Sequence, residues 1–154
     1  MERESVGFGA SSRNGGQVLT GLKVGAATSS RATGKRAREL FDVARQSIER
    51  VETLIDQESI DCELERAGHV QAAWKRSHFD QFREERDLLA RVFNHRVELV
   101  SEDAQRTELG SAAYHGLLVD ERSRALNPAR YVAGWRGRPR APARPWSLAS
   151  VSRG

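Results

Sequence analysis

Four glycines stand within Gly7–Gly16, and this stretch constrains the chain more than any other feature. Glycine enters backbone conformations closed to other residues and has no Cβ, so a run like this exposes amides for close approach and resists regular structure. Residues 1–34 as a whole are rich in Gly, Ser, Thr, Ala and Asn. They are expected to form a backbone-exposing loop whose position is set by whatever folds after it.

Beyond residue 34 the chain has clear periodicity. Leu40, Phe41, Ala44, Ile48, Val51 and Ile55 recur at three- and four-residue steps and predict an amphipathic helix over about 35–57, with Thr33 as N-cap. Asp61–Arg66 alternates, Ala67-Gly68 turns, and His69–Trp74 returns, which predicts a β-hairpin with Trp74 packed beneath it. Ser77 with Asp80 resembles a capping arrangement opening a second helix, whose Phe79, Phe82, Leu89, Val92 and Phe93 face the core. Short strands are expected at Val97–Val100 and His115–Val119, with a brief helix from Ser101 through Leu109 between them. Asn127 followed by Pro128 is a cap and first turn, so a last helix runs on through Tyr131 and Val132 and loses support after Gly134.

Charge narrows the function classes. The net charge is +4, but residues 135–154 hold five arginines and no acid, leaving 20 basic against 21 acidic residues elsewhere. A phosphate-tracking groove needs positive charge on the folded surface, so a specific nucleic-acid binder is not expected. Cys62 is the single cysteine, which excludes an intrachain disulfide and suits a reducing cytoplasm. No apolar run is long enough for a membrane helix. The four histidines lack metal-ligand spacing and are expected at the surface or at strand ends; Cys62 is expected as a small core residue.

Gly7-Phe-Gly9-Ala10-Ser11-Ser12 nearly matches the dinucleotide fingerprint, but six residues stand before it and no helical pattern comes after it, so the context of a strand–turn–helix is not met. By residues alone, a Gly/Ser surface loop competes with a phosphate-contacting one. Read through Gln17, however, the run Gly7-Phe-Gly-Ala-Ser-Ser-Arg-Asn-Gly-Gly-Gln17 resembles the second flavin-contacting loop of the D-amino-acid-oxidase-like family, departing mainly at Ser12, where glycine is usual. Leu126-Asn-Pro-Ala-Arg-Tyr-Val132 resembles the stretch where that family's chain returns from its substrate domain to its flavin domain. Arg13-Asn-Gly-Gly-Gln17 is similar to the gamma-glutamylputrescine-oxidase-like subgroup.

The resemblance spans residues 2–134 and implies an α/β fold in which an FAD-binding Rossmann-like domain and a substrate domain are both incomplete. It divides the chain into the flavin loop (1–34), helices and hairpin (35–134) and a basic Arg/Pro tail (135–154). It implies FAD as cofactor, held by Glu2, Gly9, Ala10, Ser11, Ser12, Arg13, Asn14, Gly15, Gly16 and Gln17, with Glu2 at the adenosine ribose. The implied reaction is oxidation of an amine or amino-acid C–N bond by hydride transfer to the flavin; no catalytic acid or base is named. The tail has the composition of a shifted reading frame in GC-rich DNA, so a truncated chain, inactive alone, is expected, with a native basic tail as the alternative. The competing function is a helical interaction module without catalysis.

Overall fold

The computed structural model describes residues 4–5, 7–21 and 36–136. Glu2, Thr33 and the tail from residue 137 onward lie outside them. The elements run β1 (Gln17–Val18), α1 (Arg36–Gln57), β2 (His69–Ala72), α2 (Arg76–Phe93), β3 (Glu98–Val100), a 3-10 turn (Gln105–Thr107), β4 (Leu117–Asp120), β5 (Arg124–Ala125) and α3 (Pro128–Gly134).

Helix α1 forms where the apolar spacing places it, and it buries Ala37, Phe41, Ile48 and Ile55 on one face. Helix α2 crosses it and also packs over β3 and β4. Phe41 and Phe93 meet with ring centroids 4.8 Å apart, at the centre of a cluster with Ala37 and Leu89. Burying aromatic and aliphatic side chains of this size contributes about 1.5–3 kcal/mol each, so this cluster dominates the helical layer. Asn94 ends α2 in the left-handed conformation (φ 50°), a conformation that asparagine tolerates, and the turn carries the next side chain, His95, inward.

The larger sheet is antiparallel in the order β2-β4-β3, with His69 opposite Asp120 and Glu98 opposite Val119. All four residues of β4 are buried, without alternation, as a central strand covered on both faces requires. Gly116 precedes it at φ 123°, where a Cβ would fall 2.4 Å from the Phe79 ring, so α2 reaches the sheet only over a glycine.

The hairpin expected from Asp61–Arg66 and His69–Trp74 does not form. Glu63 sits at φ 53° and breaks the extended run. Asp61–Arg66 instead makes one bridge, Glu65 to Ala125, and the Cys62 carbonyl accepts from the Asn127 amide at 2.7 Å. Gly68 (φ 74°) passes within van der Waals range of the Asp120 carbonyl and delivers β2 to the edge of β4. The apolar surface of β4 outcompetes a local partner for β2.

Three further expectations are corrected. Trp74 is 70% exposed, its edge against Tyr114, because no hairpin exists to cover it. Helix α2 starts at Arg76 after Lys75, with no side-chain cap, so Ser77 lies inside it. The segment after Ser101 yields a 3-10 turn around buried Gln105, whose side chain bonds Glu102 and Tyr114. At α3 the expected cap holds, with Asn127 Oδ1 accepting from Arg130 N at 3.2 Å. No helix among the described residues is long and apolar enough to cross a membrane.

Candidate functional site

The two motif segments, far apart in sequence, meet at one point. Gly16 has φ 66°, and a Cβ there would lie 1.8 Å from the Leu126 carbonyl oxygen. Its own carbonyl accepts from Leu126 N at 2.9 Å, and β1 then pairs antiparallel with β5, Gln17 opposite Ala125. Both the backbone angle and the close approach exclude any other residue. Asn14 knits the loop from within: Oδ1 accepts from Gly16 N at 2.8 Å while Nδ2 donates to Ala10 and Ser11 carbonyls.

The four glycines therefore divide by role. Gly7 (φ 83°) packs the loop against α3, where a Cβ would lie 2.8 Å from Ser12 Oγ and 2.9 Å from Val132 Cγ1. Gly16 is buried against Leu126, which accounts for its missing Cβ without any cofactor. Gly9 and Gly15 have open space instead: nothing within 4 Å of a Cβ at Gly9, and only Gln17 Cγ at 4.0 Å for Gly15. Ala10, Ser11, Arg13 and Gln17 are exposed, and the Arg13 guanidinium lies 4.4 Å from the Phe8 ring centroid. The turns here are single ones, Ser12 N to Gly9 O and Arg13 N to Ala10 O, not a helix start.

Between Ser12 and Asn14 on one side and Leu126–Pro128 on the other opens a cleft of about 420 Å³, with Glu63 and Glu65 as its third wall. Glu63 is engaged by Arg130 at 3.1 Å and by Asn127 Nδ2 at 2.9 Å. The Asn127 side chain thus caps α3 with its oxygen and orients an acid of the cleft with its nitrogen. Behind β5, Arg124 joins Glu52 of α1 at 2.8 Å and Arg66 joins it at 2.9 Å. The Arg124 hydrogen bond, aided by Arg66 and opposed by burial, holds the Glu52 carboxyl below its usual range.

A second polar group lies inside. Asp120, at the end of β4, accepts from His95 Nε2 at 3.1 Å, from the Thr20 hydroxyl and from the Arg122 amide at 3.0 Å, with Ser123 Oγ at 3.4 Å. Burial opposes ionisation of Asp120, but the bonds from His95, Thr20 and Arg122 outweigh it and lower its pKa. His95 is 2% exposed, its ring 5.2 Å from that of Phe41, and its Nδ1 has no partner among the described residues. This corrects the expectation of a surface histidine: the left-handed turn at Asn94 drives it inward, which no spacing in the sequence announces.

Of the expected site residues, Gly9 through Gln17 form one continuous loop, and Ser12 and Asn14 face the cleft. Glu2 lies outside the described residues. Glu63, Glu65, Thr20, His95 and Asp120 were not expected near this loop; only the cap at Asn127 hinted that the chain returns here. Cys62 is buried, and burial pushes its thiol pKa up, away from nucleophilic use. Among the described residues no three His, Cys, Asp or Glu side chains gather as metal ligands.

Comparison with known proteins agrees with the motifs. The family profile described as DAO, FAD dependent oxidoreductase, matches residues 1–141. A probable oxidoreductase OrdL of Haemophilus influenzae is 28% identical over 135 residues, covering 87% of this chain and 31% of that protein. Gamma-glutamylputrescine oxidoreductase of Escherichia coli is 28% identical over 135 residues, covering 87% and 32%. The chain thus spans about a third of the length of these relatives. In structure it is similar to glycine oxidase from Geobacillus kaustophilus, with a TM-score of 0.70 over 86% of this chain and 35% of that one at 16% identity, a likeness of fold.

Proposed function

The chain belongs to the family of FAD-dependent oxidoreductases, and on that footing we propose that Gly9–Gln17 is one wall of the flavin site of an enzyme oxidising the C–N bond of a small amine or amino acid. The observation that carries this reading is the junction at Gly16, where the flavin-loop motif and the Leu126–Pro128 return segment are pressed together around one cleft. The two resembled motifs are independent in sequence, and their contact is what a shared cofactor site requires.

The residues fit FAD on chemical grounds. Open backbone at Gly9 and Gly15 leaves amides approachable by a planar ring or a phosphate oxygen. Arg13, the loop's cation, is exposed and pairs with no carboxylate among the described residues, so it is the group for the pyrophosphate, with Ser11 and Ser12 hydroxyls as further donors. Glu63 and Glu65 would repel phosphate, which assigns their side of the cleft to an uncharged part of the cofactor or to the substrate's amine and leaves the pyrophosphate to the rim at Ser12 and Arg13. Glu2 remains the proposed ribose acceptor. When bound, FAD supplies the acceptor for a hydride from the C–N carbon. The protein's part is to orient and to exclude water, through the Asn14-knitted loop and the Asn127-oriented Glu63. A cytoplasmic location belongs to the same proposal, supported by the free, buried Cys62.

Two or three charge-assisted hydrogen bonds barely offset the cost of immobilising a ligand as large as FAD, so binding by this chain is expected to be weak. Titrating isotope-labelled chain with FAD into the millimolar range should shift amide resonances at Gly9–Gln17 and Leu126–Asn127. Gly15→Val and Arg13→Ala should each reduce those shifts. Shifts spread over the β2-β4-β3 sheet instead, or none at millimolar FAD, would overturn the reading.

A further inference from the structure

The β1–β5 ladder that docks the flavin loop is only two residues long on each strand, too short to hold itself in water. One end is closed by Gly16 and Leu126. The other end runs into the buried polar group, where Thr20, two residues past β1, donates from its hydroxyl to Asp120 and from its amide to Ser123 Oγ at 3.3 Å. Ser123 immediately precedes β5. Asp120 is therefore the point where the loop's exit, the start of β5, the central strand β4 and the end of α2 (through His95) converge.

We infer that Asp120 is a positioning residue for the flavin loop, clamping the far end of the β1–β5 ladder through Thr20 and Ser123 while His95 holds its carboxylate in place. A buried carboxylate must have its acceptor sites filled, and here two of the groups that fill them flank the ladder. If Thr20 and Ser123 leave, Asp120 loses those bonds, so the loop's exit is tied to the carboxylate at Asp120. His95 donates from Nε2 to Asp120, while its Nδ1 has no partner among the described residues. The role assigned to the loop rests on the proposed flavin site; the clamp itself does not.

The experiment compares amide hydrogen exchange in the 154-residue chain with that in Thr20→Val, Thr20→Ser and Asp120→Ala. Thr20→Val should cut protection of the Leu126 amide, and of Val18 or Arg124 where these are protected, by roughly tenfold or more, leaving amides between β2 and β4 unchanged. Thr20→Ser, which keeps the hydroxyl, should retain protection, and Asp120→Ala should reproduce the loss. Nitrogen shifts of His95 should report a protonated Nε2 in the parent chain and a change in Asp120→Ala. Equal loss at the ladder and the sheet, no loss in Thr20→Val, or a parent chain without a protected Leu126 amide would each overturn the inference. FAD titration of the same samples separates the two ideas: a localised exchange effect with no flavin-induced shifts upholds the clamp and sinks the flavin reading, while flavin shifts with uniform exchange loss do the reverse.

Discussion

The glycine loop and the helix-covered sheet are held by different means. The loop from Gly7 to Gln17 is mostly exposed and owes its place to backbone contacts, with Gly7 on Val132, Gly16 on Leu126, and Asn14 bonding carbonyls inside the turn. The sheet and its helix are held by side chains: Phe41 on Phe93, and β4 buried along its length. A region held by backbone fit fails abruptly when any atom is added. A region held by area fails in proportion to what is removed.

The largest effect should come from the platform. Phe93→Ala removes a ring 2% exposed at the centre of the helical cluster, and truncations of this kind cost about 3–5 kcal/mol. Thermal or urea unfolding of the variant should show that loss across all probes at once, because α2 joins α1 to the sheet. Loss confined to one probe would show that the layers are less coupled than the packing implies.

Gly16→Ala should break the other region alone. The positive φ alone is worth about 1–3 kcal/mol of local strain, and the added methyl would overlap the Leu126 carbonyl, so the loop must come away from it. Limited proteolysis should then cut within residues 7–20 while the sheet stays protected. Gly15→Ala, with open space at its Cβ, should be close to neutral in the same assay. If both variants behave alike, the division of the glycines into packing and open positions is wrong.

The smallest expected effect is on pH dependence. Asp120 has its pKa lowered in the folded chain from the ordinary 3.8, so the stability it contributes is fully present above that ordinary value and disappears as pH falls through the folded one. Glu52, lowered by Arg124 and Arg66, acts in the same direction. Asp120→Ala should therefore be less stable than the parent at neutral pH, with the gap closing in acid. A gap that persists unchanged below the carboxylate range would assign the loss to packing instead.

Much of this was legible. The helical spacing of Phe41, Ile48 and Ile55, the Asn127-Pro128 cap and the Gly7–Gln17 motif are local signals, because helix periodicity, capping and glycine conformation are decided within a few residues. The hairpin failed because pairing depends on which strand offers the better surface, and β4, far downstream, displaced the neighbour at Asp61–Arg66. Trp74 reflects that same non-local choice, left outside because no hairpin covers it, whereas His95 is turned in by the left-handed Asn94. The acids of the cleft were invisible because Glu63 and Glu65 read as one side of a strand.

By itself the sequence determined the family, the glycine motif at Gly7–Gln17 and helices α1, α3 and, apart from its start, α2, since each is written in contiguous residues whose chemistry acts at short range. Only the tertiary structure decided that Gly16 serves the Leu126 carbonyl, that Glu63 and Glu65 wall the cleft, and that Thr20, His95 and Asp120 share one buried group. These are meetings between distant residues, 100 positions apart for Thr20 and Asp120. Which distant partner a buried donor or acceptor finds is set by the packing of whole elements, a property that no window of sequence contains.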